Sequence, residues 1–296
     1  MRRRWWTRAR IAERWLPLVE AILIAAVALG AGVLGSMLGL GGGVFLVPIL
    51  SLVFGVPLKT AIAASAIAVV SNSASGSAVY LKARFTNVRL ALVMLVAMVA
   101  GAIAGGFLAV SLPESILKGS FGLLLLYVSA VMFRRGRGGT ARAAPTDTTA
   151  TEDPHRLGGR YFDAATGGIV RYVPRKLLIG LPGAGLAGVA SGMFGIGGGP
   201  ITVPLYTIVM GLPMKAATST SAFMFGLTAS ASALVYYQND LVNPIVTVPA
   251  VLGIISGARV GAGVVRRIHP AHLNTVFVFV LAGLAISMLL NAFGVY

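Results

Sequence analysis

Residues 32–50 read GVLGSMLGLGGGVFLVPIL, and residues 188–206 read GVASGMFGIGGGPITVPLY. Laid over one another without a gap, Gly39 falls on Gly195, and Gly41, Gly42 and Gly43 fall on Gly197, Gly198 and Gly199. The same displacement carries Pro48 onto Pro204, Pro57 onto Pro213, Lys59 onto Lys215, Ser65 onto Ser221, Tyr80 onto Tyr236 and Asn87 onto Asn243. It continues through Gly101 on Gly257 and Gly105 on Gly261 to Phe121 on Phe277. A register held over that distance without an insertion is an internal duplication. The chain is two copies of one unit.

The unit is made for lipid. Of the 296 residues 57% are hydrophobic and only 11% are charged, where a soluble domain carries about a quarter charged residues. The polar surface is too small to cover a globule in water. At ~20 residues per spanning helix, the length admits roughly eight to ten membrane segments. The net charge of +16 sits in the gaps between apolar runs, which is the pattern of topology-setting charge and argues against nucleic acid as a partner. Cysteine is absent, so disulfide and thiolate chemistry are excluded.

Five apolar segments (17–38, 44–54, 61–81, 90–112 and 116–133) precede a polar stretch, and five more (177–194, 201–210, 216–237, 244–265 and 273–296) follow it. The expected organisation is therefore a basic N-terminal segment at 1–15, a first transmembrane repeat at 16–133, a polar linker at 134–176 and a second transmembrane repeat at 177–296. The N-terminus begins like a signal peptide but shows no small-residue cleavage site and runs straight into the first repeat, so it reads as part of the mature chain. The linker has too little apolar surface to fold alone and is expected to be a flexible cytoplasmic connection. The segments at 44–54 and 201–210 are too short to cross ~30 Å of hydrocarbon and read as half-helices or re-entrant pieces.

Matching loops carry opposite charge bias. Lys82, Arg84 and Arg89 make one first-half loop basic, while its equivalent near Asp240 has no Lys or Arg; Arg266 and Arg267 make the next second-half loop basic, while its equivalent near Glu114 and Lys118 is balanced. If basic loops are cytoplasmic, the two repeats are inverted. Inverted repeats with a site near the midplane are a recurring transporter design. The N-terminal arginines run against this scheme, which places them outside unless they lie in the interface or a segment is miscounted.

Four glycines in five residues should unwind a helix, because each costs ~1 kcal/mol against Ala in a helix interior. Backbone freed in this way is tolerated at membrane depth only when buried in protein or lining a cavity, and the helix that starts after the break offers N–H groups and partial positive charge to an anion. Gly39, Gly41, Gly42, Gly43, Gly195, Gly197, Gly198 and Gly199 are thus candidate substrate-binding positions; the competing reading is close helix packing. Asn72, Ser65 and Ser221, in the Ser/Thr-rich third segment of each repeat, supply neutral donors suited to an oxyanion. Interhelical hydrogen bonding competes for most of these polar positions, and Asn72 is the strongest because an amide is costly to bury. Lys59 and Lys215 fit either a site or a boundary role. Arg259 is a charge deep inside an apolar run with no carboxylate at its depth, which suggests an anionic ligand or snorkelling.

No pair of carboxylates or nucleophile-base arrangement falls within a span, and the histidines have no metal-like spacing, so an enzyme is not expected. No cofactor or metal is implied. The expected partners are a small anionic substrate and membrane lipid, with a homodimer left open.

At GLGGGVFLVP and GIGGGPITVP, each followed by a Pro-x-Lys and a Ser/Thr/Ala-rich helix, the chain resembles the TauE/SafE family of sulfite and organosulfonate exporters. The resemblance covers nearly all of the chain except the Arg-rich N-terminus and the linker. It implies an all-α polytopic protein of the bacterial inner membrane that moves sulfite, sulfoacetate or related sulfonates as a secondary carrier. An anion channel, or an uptake permease for another small oxyanion, fits the same residues.

Overall fold

The computed structural model describes residues 18–38, 41–82, 85–137, 157–163, 168–264 and 270–294. Each of the ten expected apolar segments forms a helix. The first repeat holds α1 (Leu18–Leu38), α2 (Gly43–Leu52), α3 (Leu58–Lys82), α4 (Val88–Ser111) and α5 (Glu114–Arg137). The second holds α6 (Leu177–Phe194), α7 (Gly199–Pro204, widening into a π-helix at Leu205–Val209), α8 (Met214–Gln238), α9 (Pro244–Val264) and α10 (Pro270–Ala292). The second segments form short helices, 10 residues in α2 and 6 in α7 followed by 5 of π-helix, too short to cross ~30 Å of hydrocarbon.

Local chemistry places the boundaries. The Asn87 side chain accepts a hydrogen bond from Leu90 N at 3.1 Å and so caps α4; its repeat equivalent Asn243 accepts from Ile245 N at 3.0 Å at the start of α9. Both satisfy amides that a helix start leaves orphaned. Pro113 stops α4, since the residue before a proline is driven out of the helical region; Leu112 has φ −76 and ψ 146. Among the described residues five helices are long and apolar enough to cross a membrane, and their outer faces expose large apolar side chains such as Val96, Leu123, Leu178 and Leu186. This is an all-α polytopic membrane protein with one small hairpin.

The repeats exchange helices. The fourth helix of each lies along the first helix of the other, and the two run in the same direction. Gly253, Gly257 and Gly261 meet Ala25, Leu29 and Val33 in turn, and Gly101 and Gly105 meet Gly185 and Val189. A Cβ on Gly101 would come within 2.1 Å of the Gly185 carbonyl oxygen, and one on Gly257 within 2.1 Å of Leu29's. These are one contact seen twice, because the duplication maps Gly101 onto Gly257 and Leu29 onto Gly185. Small residues let the backbones approach this closely, which is how helices associate without a hydrophobic drive between them.

The equivalent fifth helices also pack together, but in opposite directions. Lys118 Nζ donates to Asn291 Oδ1 at 2.8 Å near one end, and Ser129 Oγ donates to Val278 O at 3.1 Å towards the other. At the centre α3 meets α8, where Ser73 Oγ donates to Ala222 O at 2.6 Å and accepts from Gly226 N at 2.9 Å.

The linker departs from expectation. Strands β1 (Gly159–Asp163) and β2 (Gly168–Tyr172) pair antiparallel, with Arg160 opposite Arg171 and Phe162 opposite Ile169. Leu157, Tyr161 and Tyr172 are buried in a cluster with Leu90, Met94, Tyr206 and Ala217. The hairpin is not stable by itself; docking on the helices supplies the apolar surface that its own composition lacks. The Arg-rich N-terminal segment and Gly39 lie outside the described residues.

Candidate functional site

The two glycine breaks share one backbone conformation. Gly41 and Gly42 have φ 79 and 79, and Gly197 and Gly198 have φ 77 and 79. Gly195 is also left-handed, with φ 62, and ends α6 by donating its N–H to Ser191 O. A side chain at any of these positions would cost ~1–2 kcal/mol in backbone strain. The new helices open at once: the Gly42 carbonyl accepts from Leu46 N at 3.2 Å and the Gly198 carbonyl from Thr202 N at 3.0 Å.

The breaks meet. A Cβ on Gly43 would lie 2.7 Å from the Gly195 carbonyl oxygen and 2.6 Å from Ser65 Oγ, and one on Gly41 would lie 3.7 Å from the Ile196 carbonyl. Gly199 opens α7 directly after the second break and is buried like Gly43. Ser65 Oγ bonds the Gly195 carbonyl at 2.8 Å. Val69 and Phe225, repeat equivalents on α3 and α8, close over Gly41 and Gly197. From α8, Tyr236 donates its hydroxyl to the Gly192 carbonyl, with Met193 O at 3.3 Å, and so ties down the end of α6 just before the break.

Among the described residues, three polar side chains around this centre lack a partner. Ser191 and Ser221 are fully buried and neither hydroxyl is hydrogen-bonded. Ser191 lies beside Gly198, and Ser221 is one turn before Phe225 on the same face of α8. Asn72 is 8% exposed, without a hydrogen bond among the described residues, and helical spacing puts it on the stripe of α3 that carries Ser65 and Val69. Among the described residues no Asp, Glu, Lys or Arg is buried. The centre offers neutral donors, helix starts and backbone dipoles, which suit a small anion without fixing it to a full charge.

Other candidates fall elsewhere. Ser71, Ser73, Thr228, Ser230 and Ser232, further polar residues of the Ser/Thr-rich third segments, bond carbonyls of their own or a facing helix, which is a packing role. Lys59 donates to Val110 O at 2.5 Å, where a cation meets the negative end of α4. Lys215 is exposed. Arg259 is not brought to the breaks: it is exposed on α9 in the outward stripe of Ile245, Val248, Leu252 and Val260, opposite the glycine face that packs on α1. Ser191 and Tyr236 were not among the residues expected at the site. The register pairs Ser191 with Gly35, so the duplication gives no sign of it, whereas Tyr236 was visible as the partner of Tyr80.

Known proteins share this chain's pattern. The family description "Sulfite exporter TauE/SafE" matches residues 24–288. The probable membrane transporter protein YunE of Bacillus subtilis is 24% identical over 269 residues, spanning 88% of this chain and 94% of its own length. A probable membrane transporter protein of Methanocaldococcus jannaschii is 26% identical, covering 90% and 95% of the two chains, and one of Xylella fastidiosa is 28% identical, covering 87% and 92%. No solved structure matches significantly. The paired breaks lie within the matched span, and the chain belongs to the TauE/SafE sulfite exporter family as a multi-pass membrane transporter.

Proposed function

We propose that this protein is a secondary carrier that exports small sulfur-containing anions, sulfite or an organosulfonate such as sulfoacetate, across the bacterial inner membrane by alternating access. The observation that carries the reading is the meeting of the two glycine breaks beside Asn72 and Ser221, donors that are unpaired among the described residues. An unpaired buried donor costs ~1–3 kcal/mol, and a bound oxyanion offsets that cost. Gly42, Gly43, Gly198 and Gly199 would present backbone dipoles to the anion while Ser65 holds the breaks together.

An inverted arrangement of the repeats supplies the two alternating states. It is supported by the opposite directions of the equivalent helices α5 and α10 and by the charge bias of the loops. Rocking of one repeat against the other would open the centre to one side and then the other, parting Val69 from Phe225. A negative-inside potential drives anion efflux by ~2.3 kcal/mol per charge per 100 mV, so export needs no buried carboxylate.

The test is flux in liposomes. Purified protein should move labelled sulfite or sulfoacetate saturably, faster when the potential favours anion exit. Flux that rises linearly with concentration identifies a channel, and absence of flux for every sulfur oxyanion sinks the reading.

A further inference from the structure

The hairpin is fastened where spanning helices begin. Asn87, the cap of α4, donates Nδ2 to Leu157 O at 2.7 Å, and its side chain bonds the Tyr172 hydroxyl. Phe85 meets Tyr161 edge-on, with ring centroids 5.5 Å apart. After β2 the chain enters α6 within a few residues. The element is therefore held at the level where two helices leave the apolar layer.

Strand alternation sorts its side chains. Tyr161 and Tyr172 are buried against the helices, while Arg160, Phe162, Ile169 and Arg171 face outward. Phe162 and Ile169, a cross-strand pair, are 60% and 61% exposed. The other outward pair is Arg160 opposite Arg171. Like charges directly opposed across strands repel, and among the described residues neither guanidinium has a partner. Arg89, Arg175 and Lys176 are exposed near the same helix starts. An apolar pair beside a cationic pair, at the level of the helix ends, matches the acyl boundary and the phosphate layer of a membrane.

We propose that this outward face docks an anionic membrane phospholipid, with Arg160 and Arg171 sharing the headgroup phosphate and Phe162 and Ile169 entering the acyl boundary. The site is separate from the glycine breaks and does not depend on which anion the carrier moves. Through Asn87, whose backbone N–H donates to Thr220 Oγ1 of α8 at 3.1 Å, the lipid would also steady the contact between the repeats.

The experiment titrates the full chain, purified in a zwitterionic detergent, with phosphatidylglycerol or phosphatidylcholine and follows the unfolding temperature. Phosphatidylglycerol should raise it and phosphatidylcholine should not. R160Q/R171Q should weaken the apparent affinity for phosphatidylglycerol roughly thirtyfold while unfolding at the wild-type temperature without lipid; R160K/R171K should keep most of the response. An undiminished response in R160Q/R171Q overturns the proposal, as does an equal shift produced by inorganic phosphate at the same concentration. So does F162S/I169S turning a dimer into a monomer with the lipid response intact, since the face would then belong to a second copy. Should R160Q/R171Q not fold, native mass spectrometry of the wild-type chain decides: retained phosphatidylglycerol that high salt removes supports the site, and retention indifferent to salt overturns it.

Discussion

The Ser65 hydroxyl donates a 2.8 Å hydrogen bond to the Gly195 carbonyl, tying the third helix of the first repeat to the left-handed glycine that ends the first helix of the second. The repeat equivalent of Ser65, Ser221, is as fully buried and has no partner among the described residues. One of two matched hydroxyls is therefore committed to holding the breaks together, while the other has no such bond among the described residues and is the one assigned to the anion in the proposed carrier.

That difference separates two phenotypes. Ser65→Ala leaves the Gly195 carbonyl buried and unpaired, which costs ~1–3 kcal/mol, so the unfolding temperature in detergent should fall. Ser221→Ala removes no internal bond among the described residues and should leave that temperature unchanged, while raising KM for the transported anion about tenfold if a single hydrogen bond of ~1.4 kcal/mol is lost. Calorimetry and liposome flux on the two variants check both halves. A Ser221→Ala carrier with wild-type KM would remove Ser221 from the site.

Gly43→Ala should be far more damaging than Gly55→Ala. The first puts a methyl 2.6 Å from Ser65 Oγ and 2.7 Å from the Gly195 carbonyl, so the two breaks must part. The second has φ 63 and nothing within 4 Å, leaving only a strain of ~1–2 kcal/mol. Gly43→Ala is expected to abolish transport and to lower the folded yield; Gly55→Ala is expected to transport normally with a slightly reduced unfolding temperature.

Much of this was legible because the decisive features are local. Glycines at positive φ, prolines at helix boundaries and the duplicated register place the helices and the breaks before any packing is known. The hairpin was not legible. Its five-residue strands are stabilised by burial of Tyr161 and Tyr172 against α4 and α8, a tertiary effect that composition cannot show. Arg259 misleads for a related reason: a charge inside an apolar run looks buried, yet which face of α9 is buried depends on Gly253, Gly257 and Gly261. Read at helical spacing, those small residues mark the packed side, with Arg259 facing the other way.

The hairpin should loosen at high pH. Burial pushes the Tyr172 phenol from its ordinary 10 up to about 12, against a smaller opposing effect of its bond to Asn87. A raised folded pKa means that the neutral phenol stabilises docking fully below pH 10, and that this contribution, on the order of 2 kcal/mol, is lost as pH rises from about 10 to about 12. A spin label on Ile169→Cys, placed at an exposed site in a chain that has no other cysteine, should gain mobility across that window. Tyr172→Phe should remove the transition.

Inversion of the repeats makes the sharpest topological demand. Arg89, in the first turn of α4, and Ile245, in the first turn of α9, are repeat equivalents, and both side chains are exposed. If the repeats are inverted, equivalent positions lie on opposite faces of the membrane. An impermeant maleimide should then label Arg89→Cys only from the cytoplasmic side and Ile245→Cys only from the other. Labelling of both from one side would leave the repeats parallel and remove the geometry on which alternating access depends. Cross-linking gives an independent reading, because antiparallel α5 and α10 place Lys118 beside Asn291 and Ser129 beside Val278. The pairs Lys118→Cys with Asn291→Cys and Ser129→Cys with Val278→Cys should oxidise readily. Lys118→Cys with Val278→Cys should not, since their helix positions are separated by about 11 residues, or roughly 16 Å of helix rise.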